Sequence, residues 1–258
     1  MSSGAVESEP GVVRYSATSF DGTLIRFDVY EHPGGSTVLV VPGFWRDRKH
    51  ASMERLAAFL GELGYRAAVC DLRGHGESGG TFGFNRDEHE DVAAVIRALV
   101  DRGAGRVALI GLSYGGAIAI STAARHPELP ISGMILISPV ADFARLAPRI
   151  NPLTIHRHVD LSQALRRPRF EWRFSRGTTL RAIDDIGRVH VPISLIHVKD
   201  DWLVNHGHST ALFALANEPK ELHILDVPGN YHADRIFEVA ASSVKPLVAE
   251  FLARTTQG

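Results

Sequence analysis

The chain has 258 residues, 45% of them apolar and 22% charged, which is ordinary globular usage and excludes disordered, collagen-like and coiled-coil classes. At a soft prior of about 150 residues per domain, this length suits one α/β domain carrying an insertion. Lys and Arg total 28 against 29 Asp and Glu, so no overall field draws the chain to nucleic acid, and any charged recognition must be local.

Residues 1–10 are polar, without the basic start or apolar stretch of a signal peptide, and are expected to be a flexible tail. No later run approaches 18 apolar residues, so a cytoplasmic protein without stable membrane insertion is expected. Leu24–Tyr30 alternates apolar and polar side chains, the period of a half-solvated strand, and the segment from Pro33 to Ser36 turns it back in an antiparallel opening. From Val38 the pattern changes to short, nearly continuous apolar runs at 38–41, 67–70, 107–110, 134–137 and 193–196, as in parallel strands covered on both faces. The lone cysteine, Cys70, closes one of these runs and so reads as a buried small hydrophobe, which fits a reducing compartment.

Amphipathic segments of helical length lie between the strands, at 51–63, 88–101, 114–125, 209–217 and 235–252. Alternating strand and helix predicts an α/β core, residues 11–138 and 191–258, with helices on both faces of a mostly parallel sheet. The rhythm breaks over 139–190, a gap long enough to predict a small helical lid. That segment holds ten arginines, no lysine and five acids, a formal excess of five positive charges.

Gly111-Leu-Ser113-Tyr-Gly115 follows a buried strand and opens directly into the helix at 114–125. The G-x-S-x-G pattern needs small residues two before and two after the serine, because a sharp strand-to-helix turn strains that serine and exposes its Oγ. Serine is a poor nucleophile without a base, and the base needs an orienting acid. The order expected on such a sheet is Ser, Asp or Glu, then His, each after a strand. Asp201, in the loop after the run at 193–196 and three residues before the apolar Val204, is the preferred acid. Asp200 reads as a turn former, and Asp142, just past the run at 134–137, is a third candidate. His232 lies between the last strand and the C-terminal helix and is the expected base. Backbone N–H groups of Tyr114, after the nucleophile, and Phe44, in Val41-Pro-Gly-Phe44, are the expected oxyanion donors.

These residues together resemble the α/β-hydrolase superfamily from about Gly11 to the C-terminal helix, and Asp71-Leu-Arg-Gly-His-Gly-Glu-Ser78 is similar to that family's loop after the fourth strand. Pro42 stands where many members carry histidine before the glycine. The length and the Gly-Leu-Ser-Tyr-Gly elbow resemble small bacterial esterases and monoacylglycerol lipases. Residues 43–50 and 199–204 are similar to the acyl-carrier-protein thioesterase of bacterial luminescence. The resemblance implies a serine hydrolase that cleaves a carboxylic ester or thioester through Ser113, His232 and Asp201, without cofactor or metal. Acyl transfer, perhydrolysis and carbon–carbon cleavage use the same scaffold. A non-catalytic receptor is the remaining alternative, and haloalkane dehalogenase and epoxide hydrolase readings are disfavoured because those relatives carry aspartate where Ser113 stands.

Other signals carry less. Gly74-His-Gly-Glu-Ser-Gly79 satisfies G-x-G-x-x-G, but Gly80-Thr-Phe-Gly83 follows where a dinucleotide site would open a helix. Arg73 and His75 in that loop are expected to be structural hydrogen-bonders, and the pairs His156/His158 and His206/His208 lack a metal-ligand pattern. The lid arginines, with Arg46, Arg48, Lys49 and His50, suit the phosphates of a CoA- or carrier-protein-bound thioester, although a solvated face balanced by Glu171 and Asp184 is the preferred reading. Trp45, Phe143, Trp172 and Trp202 are the expected substrate contacts, and the oligomeric state is left open.

Overall fold

The computed structural model describes residues 11–33, 35–146, 169 and 179–256. The tail over 1–10 and most of the expected lid, including Trp172 and the His156/His158 pair, lie outside the described residues.

Eight strands form one sheet: β1 (Val12–Thr18), β2 (Leu24–Tyr30), β3 (Thr37–Val41), β4 (Arg66–Cys70), β5 (Val107–Leu112), β6 (Ile131–Ile137), β7 (Ile193–Val198) and β8 (Lys220–Leu225). Their spatial order is β1-β2-β4-β3-β5-β6-β7-β8. Only the β1–β2 and β2–β4 pairings are antiparallel, so β2 alone runs against the rest. β3, β5, β6 and β7 are buried along their whole length, as their unbroken apolar runs require.

The helices are α1 (Ala51–Glu62), α2 (Glu88–Val100), α3 (Tyr114–Arg125), α4 (Ala182–Asp185), α5 (Gly207–Leu215), α6 (Ile236–Val239) and α7 (Ala241–Thr256). On one face Met53, Leu56 and Leu60 of α1 share a core with Val244, Val248 and Phe251 of α7. On the other, Val92 and Ile96 of α2 and Ile118 of α3 pack with Ile186 and with Leu212 of α5. This is the two-sided layering expected from the sequence.

The structure adds to or corrects these expectations at four points. β1 was not anticipated: it is an edge strand, mostly half-buried, and so lacks the continuous apolar run that marked the central strands. The chain does turn back after β2 in an antiparallel opening, but β2 pairs with β4, which lies between β2 and β3. The helix expected over 235–252 is broken at Ala240, whose φ of −126° leaves the helical region while its carbonyl accepts from both Ser243 and Val244 and so starts α7. The helix expected over 209–217 begins two residues earlier, at Gly207, and ends at Leu215.

Arg48 is almost fully buried between Asp28 of β2 and Asp71, which directly follows β4. It donates from Nε to Asp28 at 2.8 Å, and its two terminal nitrogens meet Asp71 and Glu77. Lys49 also pairs with Glu77. A buried guanidinium committed to three carboxylates is a structural element, and this removes Arg48 from the set considered for phosphate binding. Among the described residues no helix is long and apolar enough to cross a membrane.

Candidate active site

Ser113 joins β5 to α3 with φ 53° and ψ −116°, a strained backbone for a non-glycine residue. The flanking glycines make that turn possible. A Cβ on Gly111 would lie 2.6 Å from the Cα of Gly116, and one on Gly115 would overlap the backbone oxygens of Val41 and Pro42. The turn is held by Ser113 N–H donating to Ile137 O at 2.8 Å, which fixes it against β6.

Two loops at the same end of the sheet converge on the serine. His232 Nε2 lies 2.7 Å from Ser113 Oγ, and its Nδ1 lies 2.7 Å from Asp201 Oδ2. Asp201 Oδ1 accepts from the N–H groups of Leu203 and Val204, each at 2.9 Å, so one oxygen shapes the loop after β7 and the other faces the imidazole. Asp200 is exposed, and Asp142 caps a short 3-10 turn at Ala144 and pairs with Arg181. Of the three sequence candidates, Asp201 is therefore the one brought to His232.

A second imidazole, missed in the sequence, backs the same carboxylate. His197 on β7 is fully buried, with Nε2 2.8 Å from Val204 O and 3.5 Å from Asp201 Oδ2, while its Nδ1 lies 2.7 Å from Ser209 Oγ. Burial alone would raise the Asp201 pKa, but the His232 and His197 imidazoles outweigh it and hold the carboxyl well below the usual range. Asp201 is thus kept ionised beside a histidine.

The loop after β3 packs directly on the elbow, since a Cβ on Gly43 would lie 3.2 Å from that of Ser113. Phe44 follows that glycine, and Tyr114 opens α3, where first-turn N–H groups have no acceptor within the helix. Trp45 has φ 62° and stacks near Phe44, with ring centroids 4.9 Å apart. Phe82 links Phe44, Phe84 and Tyr114 through ring contacts of 5.1 Å each. Phe143 extends this aromatic wall, 4.9 Å from Phe84 and 5.9 Å from Tyr114. Trp202 lies on the other side, its ring edge-on to His232 at 6.3 Å.

The cations near the loop after β3 meet carboxylates. Besides Arg48 and Lys49, Arg46 pairs with Asp234. Arg181 of the expected lid pairs with Asp184 and Asp142, and Arg169 hydrogen-bonds the carbonyl of Ser78. Arg73 is clamped to Asp91 and Asp21, and His75 Nδ1 lies 3.1 Å from Arg73 O, the structural roles expected of both. His206 and His208 face different partners, Lys199 O and Ala141 N–H. Burial pushes the Cys70 thiol up, away from the reactive thiolate.

The family model described as serine aminopeptidase, S33 (Hydrolase_4) matches residues 35–171. The uncharacterized protein YfhR of Escherichia coli K12 is 26% identical over 199 residues, covering 76% of this chain and 63% of that protein. An AB hydrolase superfamily protein of Gibberella zeae is 30% identical over 152 residues, 57% of this chain and 51% of that protein. The matches thus span less than two thirds of these relatives' own length. The esterase Pf2001 of Pyrococcus furiosus superposes with a TM-score of 0.76 at 22% identity, covering 99% of this chain and 92% of that one. A likeness at that identity speaks to the fold, which is that of α/β hydrolases.

Proposed function

We propose that this chain, which belongs to the serine aminopeptidase S33 (Hydrolase_4) family of α/β hydrolases, is a serine hydrolase cleaving carboxylic esters of small apolar acyl groups. The observation that carries this reading is the unbroken chain of 2.7 Å contacts from Asp201 through His232 to Ser113 at a strained strand-to-helix turn.

In this reading Ser113 Oγ attacks the acyl carbon while His232 Nε2 takes its proton, and Asp201 stays ionised to hold the imidazolium. The carbonyl oxygen becomes an oxyanion facing the N–H groups of Phe44 and Tyr114, where each such donor is worth about 10²–10³ in rate. Collapse breaks the bond to the leaving oxygen, which takes the proton from His232 and departs as the alcohol. Water then gives a proton to the same nitrogen, attacks the acyl-enzyme and releases the acid, returning the proton to Ser113. The wall of Phe82, Phe84, Tyr114 and Phe143 supports an apolar acyl side, with Trp45 packed on Phe44 and Trp202 edge-on to His232. The pairing of Arg46, Arg48 and Lys49 with carboxylates favours an oxyester over a phosphate-bearing thioester.

The test compares kcat/KM on p-nitrophenyl acyl esters, acyl-CoA thioesters of the same chain and aminoacyl p-nitroanilides, with Ser113→Ala as background. Ester turnover lost in Ser113→Ala, with fluorophosphonate labelling of Ser113, supports the proposal. Preference for the thioester or the anilide would move the substrate class. Absence of labelling in folded protein would overturn the enzyme reading and favour a receptor.

A further inference from the structure

The geometry points to a divalent transition-metal site of the kind Zn²⁺ occupies, formed by His89, Glu90 and His126 between α2 and the end of α3. Nothing in the hydrolase reading depends on it. α3 runs 12 residues from the Ser113 elbow to His126, roughly 18 Å at 1.5 Å per residue, so the cluster lies at the opposite end of that helix from the nucleophile.

The donor set is a borderline-soft one. One ligand atom from each of the three residues lies within 4.8 Å of the others. The Glu90 carboxylate is placed between the two imidazoles, with Oε1 3.5 Å from His89 Nε2 and Oε2 3.3 Å from His126 Nε2. Ligands bound tetrahedrally at about 2.0–2.1 Å lie about 3.4 Å apart, so each imidazole already stands at a ligand spacing from one carboxylate oxygen, and a monodentate Glu90 must turn for one oxygen to serve both. Two imidazoles with one carboxylate suit Zn²⁺, Co²⁺ or Ni²⁺ and do not suit Mg²⁺ or Ca²⁺, which take all-oxygen shells.

One nitrogen of each imidazole is left unsatisfied. His89 Nδ1 and His126 Nε2 are both buried with no hydrogen-bond partner among the described residues. The 3.3 Å approach of His126 Nε2 to Glu90 therefore has the distance of an ion pair without the geometry of a hydrogen bond. An outer shell is also in place. Glu128 Oε1 lies 3.4 Å from His126 Nδ1; without a metal that nitrogen accepts from Arg97 Nη2, so a metal at Nε2 requires the other tautomer, whose Nδ1–H turns to Glu128. Arg97, 3.3 Å from the same Nδ1, is held to Glu128 at 2.8 Å, and Arg125 is drawn to Asp185 at 3.3 Å. Thr122 of α3 donates to the carbonyl of His89 at 3.2 Å, fixing α2 against α3 at this point. Glu90 and Arg97 also border a surface cavity of about 490 Å³.

Binding there would clamp α2 to α3 and stabilise the folded chain by mass action. The experiment measures Zn²⁺ affinity of the full chain by competition with a chromogenic chelator, and Tm with and without one equivalent of ZnCl₂. The variants are Glu90→Gln, His126→Ala and, to account for the imidazole beside Ser113, His232→Ala. Expected are one equivalent bound, a higher Tm with Zn²⁺ but not Mg²⁺, at least tenfold weaker binding in Glu90→Gln and His126→Ala, and unchanged binding in His232→Ala. Glu90→Gln alters one partly exposed side chain, so it decides the matter if His126→Ala does not fold. Failure to bind Zn²⁺ at micromolar concentration, unchanged affinity in Glu90→Gln, or loss confined to His232→Ala would overturn the site.

Discussion

Arg46 donates from Nε to Asp234 Oδ2 at 3.1 Å, tying the loop that carries Phe44 to the loop that carries His232. Each partner directly follows a non-glycine residue in the left-handed region, Trp45 at φ 62° and Ala233 at φ 45°. Such residues cost about 1–3 kcal/mol each and persist only where the surroundings hold them. Burial pushes the Asp234 carboxyl up, but Arg46 and Ser52 outweigh this and keep it below the usual range, so the pair is ionic. Asp234→Ala is expected to lower kcat about 10- to 100-fold on p-nitrophenyl esters with KM little changed, since it displaces His232 without touching the acyl side. In a double-mutant cycle with Arg46→Ala the two losses should be far from additive. Additive losses would mean that the two loops are positioned independently.

The central sheet was legible because strands buried on both faces must be apolar at nearly every position, as Val38–Val41 and Val107–Ile110 are. β1 was not legible, because a half-buried edge strand carries little periodic signal. Ser113 announced itself through two glycines whose replacement would strike backbone. The choice of Asp201 over Asp200 rested on spacing, and its physical basis is that Asp201 Oδ1 accepts from the N–H of Val204 while Asp200 points to solvent. What sequence could not supply was pairing at long separation. Arg46 and Asp234 are 188 residues apart, and His126 follows Glu90 with no motif between them. The buried Arg48 looked like a surface cation until Asp28 and Asp71 closed around it.

The two glycine substitutions Gly115→Ala and Gly61→Ala should have opposite signs. A Cβ on Gly115 meets the backbone oxygens of Val41 and Pro42, which cannot yield without displacing β3 from the elbow. Gly115→Ala is therefore expected to cost several kcal/mol and to abolish fluorophosphonate labelling of Ser113. Gly61 lies inside α1 and a Cβ there meets nothing within 4 Å. Gly61→Ala should stabilise by about 1 kcal/mol through helix propensity alone, with kcat/KM unchanged. Urea unfolding of both variants checks the pair, and a soluble, active Gly115→Ala protein would contradict the close approach.

Stability should fall as pH drops below neutrality, and His75 is a principal cause. Its imidazole is enclosed by the rings of Phe82 and Phe44, with centroids 4.9 and 5.7 Å away, and burial lowers its pKa from the ordinary 6.5 to about 4. Between those two values the unfolded chain binds a proton that the folded chain refuses, so this contribution is complete above pH 6.5 and is lost progressively as pH falls toward 4. At about 1.4 kcal/mol per pKa unit the loss by pH 4.5 is roughly 2–3 kcal/mol. Burial raises Glu88, Asp71 and Asp91, so these carboxyls act in the opposite direction, adding stability as pH falls. The difference between the wild type and His75→Phe therefore isolates the histidine. Urea unfolding at pH 7.5 and 4.5 should show the wild type losing about 2 kcal/mol more than His75→Phe over that interval. Equal losses would mean that the imidazole takes its proton while still enclosed by Phe44 and Phe82.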